Sequence, residues 1–581
     1  MAAKKTVELD FEFPRQEKKP KRPSKKFTKI FLIASAGVLV VALAVAAVLL
    51  LNKQQTVVRV MDFGTALEGV SVSGVDVSGM TRQEALEATA SLEGALLSEV
   101  KVSLDVNGAT HEFGASELGV TTDYIAVINK AMDYGHFGTF EERKAAADDA
   151  KANSKAFEIT LETDETVLTS ALANLKTVLD TAPRDASFQF FPWGYTLDAD
   201  GTPTEYTFDM VKMTDTASRH KRLSYPDDIV RLSEDEKPLA IRYQYYNETK
   251  FEDKLYIPDA ATISRFYYIP EQTGLDADTS AVVSDIMAQI ESKSFSTITV
   301  PVSVTEPAFK LDDIKKQTQL ITSWTSSYRK HDGLGRIWNV AKLSGIICGQ
   351  IIEPGEQWSI NDTAGPRDKN KGWKDASGIL DGGFVDVPGG GVCQISSTLY
   401  NAAIRAGLPR DNVVSWHHSI RSAYMPNGMD ATITSSGKDL KLTNPHEHPL
   451  YMVSFVNPET KTVTVQIYGP PLIDPDTGEE VIYDFRPGKA QFYGSPVMRD
   501  IYFKTQKPSG DPIPPGGSYK YSDMQRGMRV QTYRYFLRLD GTKYKEEKWE
   551  FVDVKPINGQ MWWNVDPNAS PVPSPVPSDT P

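Results

Sequence analysis

Residues 388–400 read PGGGVCQISSTLY and carry the densest local signal in the chain. Apolar side chains recur at helical spacing after Cys393, and Gly407-Leu408-Pro409 is a typical helix stop. The pattern predicts a helix of about thirteen residues that begins just after the three glycines. Cys393 is therefore expected at the N-terminal edge of this helix.

That position has consequences for the reactivity of the Cys393 thiol. Unpaired backbone N–H groups and the helix dipole stabilise a thiolate, lower the cysteine pKa and can donate to an oxyanion. Gly390 and Gly391 have no side chains and would allow an acyl substrate to approach the sulfur closely. The setting favours a nucleophilic cysteine.

A nucleophilic thiolate also requires a general base and a group that orients the base. Histidines are concentrated in Trp416-His417-His418-Ser419, and Asp430 follows soon after. Cys393, His418 and Asp430 thus form a nucleophile, base and orienter in chain order. Spacing alone leaves open the alternative that the thiol is packed in a helix and the histidines occupy a surface loop.

Composition narrows the class of protein. The chain has 581 residues, 40% of them hydrophobic and 24% charged, which is ordinary for folded soluble domains and excludes disordered, collagenous or polytopic membrane proteins. A net charge of −13 argues against a nucleic-acid partner. Two cysteines leave no room for a disulfide scaffold or a multi-cysteine zinc or iron–sulfur site, and we expect no cofactor and no metal.

The N-terminal region predicts a membrane anchor. Residues 1–29 carry ten basic and four acidic side chains, and residues 30–51 carry no charge. At ~1.5 Å per helical residue, that uncharged segment spans ~33 Å, enough for a bilayer core. The positive-inside rule then places residues 1–29 in the cytoplasm and the bulk of the chain outside, facing the cell wall. A cleaved signal peptide is the alternative, although its apolar core would be shorter.

The rest of the chain predicts an α+β protein of several units. Residues 57–183 mix alternating stretches with amphipathic helices, one of them beginning at Thr81, and residues 184–310 show a weak internal echo of this unit interrupted by an aromatic insertion. The aromatic cluster at residues 188–195 is expected to be core rather than a sugar platform. Residues 311–469 form the central α+β domain, residues 470–566 a β-rich domain with a hairpin, and residues 567–581 a disordered Pro/Ser tail.

Five motifs in the central domain match a known family in order. They are Asn339-Val340-Ala341, PGEQWSIN at residues 354–361, GGGVCQIS at residues 389–396, His418-Ser419, and YMPNGMDAT at residues 424–432. Residues 339–469 thereby resemble the VanW-like domain. Residues 57–183 and 184–310 resemble the peptidoglycan-binding modules that often precede it, and residues 470–566 are faintly similar to a G5 module.

The resemblance implies a cysteine L,D-transpeptidase that forms 3-3 cross-links in peptidoglycan through a thioacyl-enzyme intermediate. Its implied partners are the stem peptides and glycan of peptidoglycan. It also implies roles for seven residues: the nucleophile Cys393, the base His418, its orienter Asp430, and the oxyanion or substrate contacts Gly390, Gly391, Gln394 and Ser396.

Several alternatives stay open at this point. The same acylation chemistry serves an L,D-carboxypeptidase, and a non-catalytic wall-binding or scaffold protein would use Cys393 only structurally. Asp430 follows Asn-Gly and can equally be a turn residue. Cys348 is expected to be buried, with a disulfide to Cys393 as the alternative. His446 and His448 are expected to be loop residues rather than metal ligands.

Overall fold

The computed structural model describes residues 64–207, 225–233, 236, 242–247, 250–252, 259–328, 333–380, 383–435, 437–457 and 460–565. The predicted basic tail 1–29, membrane span 30–51 and Pro/Ser tail 567–581 lie outside these residues. Within the described ranges, no helix combines the length and apolar character needed to span a bilayer. The described chain is a mixed α+β fold, which agrees with the predicted class.

The chain divides into two compact units, and the first comprises residues up to 183 together with residues 273–306. Its helices are Arg82–Glu99, Tyr124–Asp133, Phe140–Asn153, Glu165–Leu179 and Val283–Ser292, with a 3-10 turn at Thr279–Val282. Its strands are Val70–Val72, Val75–Asp76, Lys101–Val106, Ala109–Gly114, Val120–Thr122, Lys155–Phe157, Leu161–Thr163, Gly274–Ala277, Ile298–Thr299 and Val302–Thr305. The helix Arg82–Glu99 is capped by Thr81, the residue at which the sequence predicts a helix start, and the Thr81 side chain forms a capping box with Glu84.

The second unit comprises residues 184–272 and residues from 307 onward. Its helices are Leu311–Gln317, Leu334–Ile347, Ile360–Ala364 and Cys393–Arg405, with 3-10 turns at Asp259–Thr262, Lys369–Lys371 and Arg410–Asn412. Its strands are Ser187–Phe190, Tyr195–Leu197, Pro203–Glu205, Tyr243–Asn247, Lys250–Glu252, Phe266–Ile269, Gln319–Ser327, Ile351–Ile352, Gln357–Ser359, Asp375–Leu380, Gly383–Pro388, Val413–Val414, Lys441–Thr443, Leu450–Asn457, Thr462–Gly469, Ile482–Pro487, Gln491–Tyr493, Met498–Ile501, Ser518–Ser522, Gly527–Leu537, Lys543–Val554 and Gly559–Trp563.

A six-stranded sheet supports the central part of the second unit. Its middle strands, Gln319–Ser327, Thr462–Gly469 and Leu450–Asn457, pair antiparallel in that order. The helix Cys393–Arg405 packs on this sheet and is buried along nearly its whole length, polar side chains included. The sheet and the core below it therefore fix the position of Cys393.

The C-terminal β-rich segment is continuous with that core. The hairpin of Gly527–Leu537 and Lys543–Val554 forms as its alternation predicts, and it belongs to a four-stranded sheet. Phe485, Phe536 and Trp549 join the same buried cluster as the helix Cys393–Arg405. The predicted boundary between residues 469 and 470 therefore does not divide the hydrophobic core.

The predicted second module, residues 184–310, is also divided differently. Residues 184–272 belong to the second unit and residues 273–306 to the first. The aromatic cluster packs as core, as expected, because Phe188 and Phe190 contact Phe266 and Tyr451 edge-on or stacked. The aromatic insertion is therefore part of the packing of the second unit.

Candidate active site

The glycine turn delivers Cys393 to the first position of its helix, Cys393–Arg405, as the sequence predicts. Gly391 has φ +104°, and a Cβ there would lie 2.8 Å from Arg336 Cγ. A Cβ on Gly390 would lie 2.1 Å from the Ala376 carbonyl oxygen. The two glycines are thus required for close packing of the turn against the protein. The expected role of both glycines in admitting substrate stays a prediction.

The buried polar face of this helix holds the segment that carries Asp430. Asn401 donates from Nδ2 to the Met429 carbonyl at 2.7 Å, and the Ala431 N–H donates to Ser397 Oγ at 2.9 Å. Ser396 Oγ donates to the Ala431 carbonyl at 2.5 Å. Buried polar groups keep such partners because an unpaired one is costly. The helix therefore positions both Cys393 and the residues that surround it.

The structure brings together the three residues predicted as nucleophile, base and orienter. His418 Nδ1 lies 2.6 Å from Asp430 Oδ2, and the His418 backbone N–H donates to the same oxygen at 2.9 Å. The His418 side chain also hydrogen-bonds to Cys393. Because Nδ1 is held by Asp430, Nε2 is the nitrogen that faces the sulfur. Asp430 thus has the geometry of an orienter rather than only that of a turn residue.

The electrostatics of the group favour a thiolate paired with an imidazolium. Burial raises the pKa of the Cys393 thiol, but the hydrogen bond and positive charge of His418 and the Thr432 hydroxyl outweigh it and lower the pKa to about 7. Burial lowers the pKa of His418, and hydrogen bonds to Asp430 and Cys393 raise it to about 10. The pKa of Asp430, although buried, is held far below its usual range by the two histidines. Both shifts favour the ionised pair, a Cys393 thiolate beside a protonated His418.

His417 occupies a different place from His418. Its Nδ1 lies 3.3 Å from Asp430 Oδ1 and its Nε2 lies 3.3 Å from Glu550 Oε2. Burial lowers the pKa of His417, and the two carboxylates raise it to about 9. His417 therefore contacts the Asp430 oxygen that His418 does not use, and the preference for His418 as the group that contacts Cys393 agrees with the geometry.

Two of the predicted oxyanion and substrate contacts are engaged within the protein. The Gln394 N–H donates to the Gly391 carbonyl at 3.0 Å, and its buried side chain accepts from Arg336 and donates to Ser326. Ser396 is fully buried against Ala431. The predicted roles of Gln394 and Ser396 are therefore corrected to structural ones. Among the described residues, nothing accepts a hydrogen bond from the Cys393 N–H, which leaves this group for an oxyanion.

Other residues around the sulfur were not singled out from the sequence. Thr432 Oγ1 and the Ile433 carbonyl oxygen each lie 3.5 Å from Cys393 Sγ. Tyr424 OH lies 3.5 Å from His418 Nε2, and burial together with the charges of Cys393 and Asp430 raises the pKa of this phenol, so that it stays protonated. Tyr424 and Thr432 fall within the YMPNGMDAT motif, and membership of this motif is the sequence feature that could have identified them as site residues.

The second cysteine is remote from this chemistry. Cys348 is buried at the end of its helix, and burial raises its thiol pKa to about 12. Both cysteines are free, so the alternative of a disulfide between them is wrong. His446 lies in the turn after Lys441–Thr443, where its N–H donates to Asn444. In the described part of the chain, no group of three or more His, Cys, Asp or Glu residues is arranged to hold a metal.

Two family models match parts of the chain. Residues 335–468 match the family described as "VanW like protein". Residues 335–468 are a VanW-like domain. Residues 112–192 match the family described as "Putative peptidoglycan binding domain", so the chain carries a peptidoglycan-binding domain ahead of the VanW-like domain. Cys393, His418 and Asp430 all lie within the VanW-like domain, whereas Glu550 lies outside it.

Two curated relatives match part of the chain. It is 36% identical over 132 residues to YoaR of Bacillus subtilis (strain 168), covering 23% of this chain, and 28% identical over 114 residues to the vancomycin B-type resistance protein VanW of Enterococcus faecalis (strain ATCC 700802 / V583), covering 19%. The chain spans 41% of the length of each relative. A crystal structure of HP0197-G5 matches 15% of this chain and all of that chain at 16% identity, with a TM-score of 0.09, too low to inform the fold. The G5-like assignment of residues 470–566 stays a prediction.

Proposed function

We propose that this protein is a cell-wall enzyme, a cysteine L,D-transpeptidase that forms 3-3 cross-links in peptidoglycan. The proposal rests on the setting of Cys393, which lies at a helix N-terminus. His418 lowers the pKa of its thiol to about 7, and Asp430 orients His418. A merely structural cysteine has no need of such a partner, and Cys348 illustrates the contrast. The VanW-like and peptidoglycan-binding matches support the wall as the place of action.

In the acylation step, the Cys393 thiolate attacks the carbonyl carbon between the third residue of a stem tetrapeptide and its terminal D-alanine. The C–S bond forms and the C–N bond breaks as the His418 imidazolium gives its proton to the leaving amine. The Cys393 N–H faces the developing oxyanion. In the ionised form of the pair, His418 therefore acts first as a general acid, and no proton has to be taken from the thiol in this step.

In the second step, the side-chain amine of a neighbouring stem's third residue attacks the thioester. Neutral His418 accepts the proton, the new amide bond forms and the thiolate leaves. Water in place of the amine gives an L,D-carboxypeptidase with the same acylation step. The proposal includes anchoring through residues 30–51, which would place the site outside the membrane.

Detection of the thioacyl adduct tests the proposal. Purified protein is incubated with a stem tetrapeptide and its intact mass is measured. We expect an adduct on the wild-type protein and on Cys348→Ala, a control that removes the buried thiol, and none on Cys393→Ala. Cross-linked dimers from tetrapeptide muropeptides identify transpeptidation, and hydrolysis without dimers identifies the carboxypeptidase. The thiolate mechanism fails if Cys393→Ala gives as much product as the wild type.

A further inference from the structure

Arg367 is a buried cation close to the nucleophile that the chemistry above does not use. Its side chain is only 8% exposed, and its stem packs so closely below Gly389 that a Cβ there would lie 2.9 Å from Arg367 Cβ. Its backbone N–H faces Ser435 Oγ at 3.4 Å, two residues beyond the Ile433 carbonyl that contacts Cys393. Arg367 thus lies between the glycine turn and the segment that lines the sulfur.

The guanidinium of Arg367 is only partly satisfied. Nη1 donates to Asn361 Oδ1 at 2.9 Å, whereas Nη2 is buried and, among the described residues, has no hydrogen-bond partner. The nearby carboxylate of Asp439 accepts from Ser359 Oγ at 2.7 Å and from the Asn361 N–H at 3.1 Å, and its charge acts on Arg367 without a hydrogen bond to Nη2. A buried guanidinium with an unused donor is costly unless an anion completes it.

The electrostatics tie Arg367 to the reaction centre. Burial lowers the pKa of Arg367, and the negative charges of Cys393 and Asp439 act in the opposite direction. Guanidinium groups prefer carboxylate and phosphate oxygens, and Nη2 is the donor of Arg367 left for such an oxygen. An anionic ligand at this position would lie beside the sulfur.

We propose that Arg367 binds the C-terminal carboxylate of the acyl donor. This inference rests on the proposed function and names the part of the substrate that the site recognises, the free C-terminal carboxylate. In a terminal D-amino acid, one carbon separates the carboxylate from the scissile nitrogen, so the anion is adjacent to the bond that Cys393 attacks. The contact would restrict acylation to donors in which the leaving group is a single free amino acid.

A pair of alkylating agents tests the anion site without any substrate. Iodoacetate and iodoacetamide react with a thiolate in the same way, forming an S–C bond as iodide leaves, and differ in carrying a carboxylate or a neutral amide. We expect the iodoacetate-to-iodoacetamide rate ratio to be higher for wild-type Cys393 than for free cysteine. Arg367→Met should lower this ratio about tenfold. Lys371→Met, which removes an exposed charge from the same loop, should leave the ratio unchanged.

The ratio separates anion binding from a general effect on the thiolate. If Arg367 only stabilises the sulfur charge, the Met variant slows both reagents equally and the ratio stays constant, which overturns the proposal. Arg367→Lys keeps the positive charge and serves as the second variant if the Met variant does not melt cooperatively. We expect the iodoacetate-to-iodoacetamide rate ratio of Arg367→Lys to lie between those of the wild type and Arg367→Met.

A second measurement needs no variant. The donor L-alanyl-γ-D-isoglutaminyl-L-lysyl-D-alanine has its C-terminal carboxylate as its sole carboxylate, and its C-terminal carboxamide is the matched neutral donor. We expect the wild type to form the thioacyl adduct about tenfold more slowly with the carboxamide. Equal rates overturn the role of Arg367 while leaving the transpeptidase proposal intact. Absence of an adduct from both donors, with the haloacetate ratio retained, counts against the proposed function alone.

Discussion

At the scale of single residues, the charge state of Cys393 governs the site. Its pKa of about 7 lies below the ordinary thiol value, so the thiolate is present above that pH and is lost as the pH falls through it. The pKa of about 10 for His418 means that the imidazolium is present below that pH and is lost as the pH rises. The reactive ion pair therefore exists between these two values.

The first prediction concerns the pH dependence of this thiol. Alkylation of Cys393 by iodoacetamide should be half-maximal near pH 7, because only the thiolate reacts. Cys348 should stay unreactive in the folded protein because burial raises its pKa to about 12. Peptide mapping after timed alkylation measures both rates. A midpoint for Cys393 near that of free cysteine would contradict the ion pair.

The second prediction concerns Asp430. Asp430→Asn removes the carboxylate that holds the His418 proton, so the His418 pKa should fall and the Cys393 pKa should rise by about one unit or more. The alkylation midpoint then shifts to higher pH. The matched control is Asp411→Asn, an exposed aspartate in a surface turn, for which no shift is expected. An unmoved midpoint in Asp430→Asn would show that Asp430 is a turn residue only.

How far single residues could be predicted depends on how local their signals are. Cys393, His418 and Asp430 are all within forty residues of one another in recognisable motifs, and the structure brings them together as expected. The resemblance implies substrate contacts for Gln394 and Ser396, yet a helix turns neighbouring side chains toward different surroundings. The sequence does not mark Arg367 as a site residue, since a single arginine in a polar loop cannot be told from a solvent-exposed one.

At the scale of elements, the helix Cys393–Arg405 does two things at once. Its apolar side chains pack on the sheet, and its polar side chains hold the chain from Met429 to Ala431. Helical periodicity predicted its bounds well, because its glycine start and glycine stop are both local. The polar contacts could not be predicted, since Ser and Asn within a helix read equally as solvent-exposed positions.

The third prediction tests this attachment. Asn401→Ala leaves the Met429 carbonyl buried without its donor, so the free energy of unfolding should fall by about 1–3 kcal/mol. Chemical denaturation followed by circular dichroism measures the change. Asn370→Ala, an exposed substitution of the same type, should change the stability by less than about 0.5 kcal/mol. An equal effect of both variants would exclude the proposed anchoring role of Asn401.

The fourth prediction concerns the strand Lys543–Val554, which supplies Glu550 to His417. Glu550→Gln removes one of the two carboxylates that raise the His417 pKa, so that pKa should fall from about 9 toward its ordinary value. NMR titration of the histidine ring protons measures it. Glu546→Gln on the same strand, whose partner is Lys543, should leave the His417 titration unchanged. No change in Glu550→Gln would mean that Asp430 alone holds the proton.

At the scale of the whole molecule, the boundary predicted at residue 470 crosses a continuous core. Trp549 donates from Nε1 to Tyr400 OH at 3.0 Å, and Arg405 pairs with Asp484 while both are almost fully buried. A change from helices to alternating strands marks a change of secondary structure, but the sequence does not reveal whether two such segments share their buried faces. Only the tertiary contacts show this.

The fifth prediction follows from that shared core. A protein shortened to end at residue 470 loses Phe485, Phe536 and Trp549 from the cluster and leaves Arg405 without its carboxylate, a loss of about 3–5 kcal/mol for the ion pair alone. We expect no cooperative thermal transition from the second unit. A protein ending at residue 565 should melt like the full chain. If both melt at the same temperature, the C-terminal sheet is independent of the VanW-like domain.

The contribution of Glu550 and Trp549 to the surroundings of His417 sets the timing of maturation. The nucleophile is synthesised about 150 residues before these two side chains, and its surroundings are complete only once the strand Lys543–Val554 has folded. A nascent chain that already exposes Cys393 therefore still lacks its finished environment. The pKa of His417, and through Asp430 that of His418, can therefore reach its final value only after this strand has been added to the core.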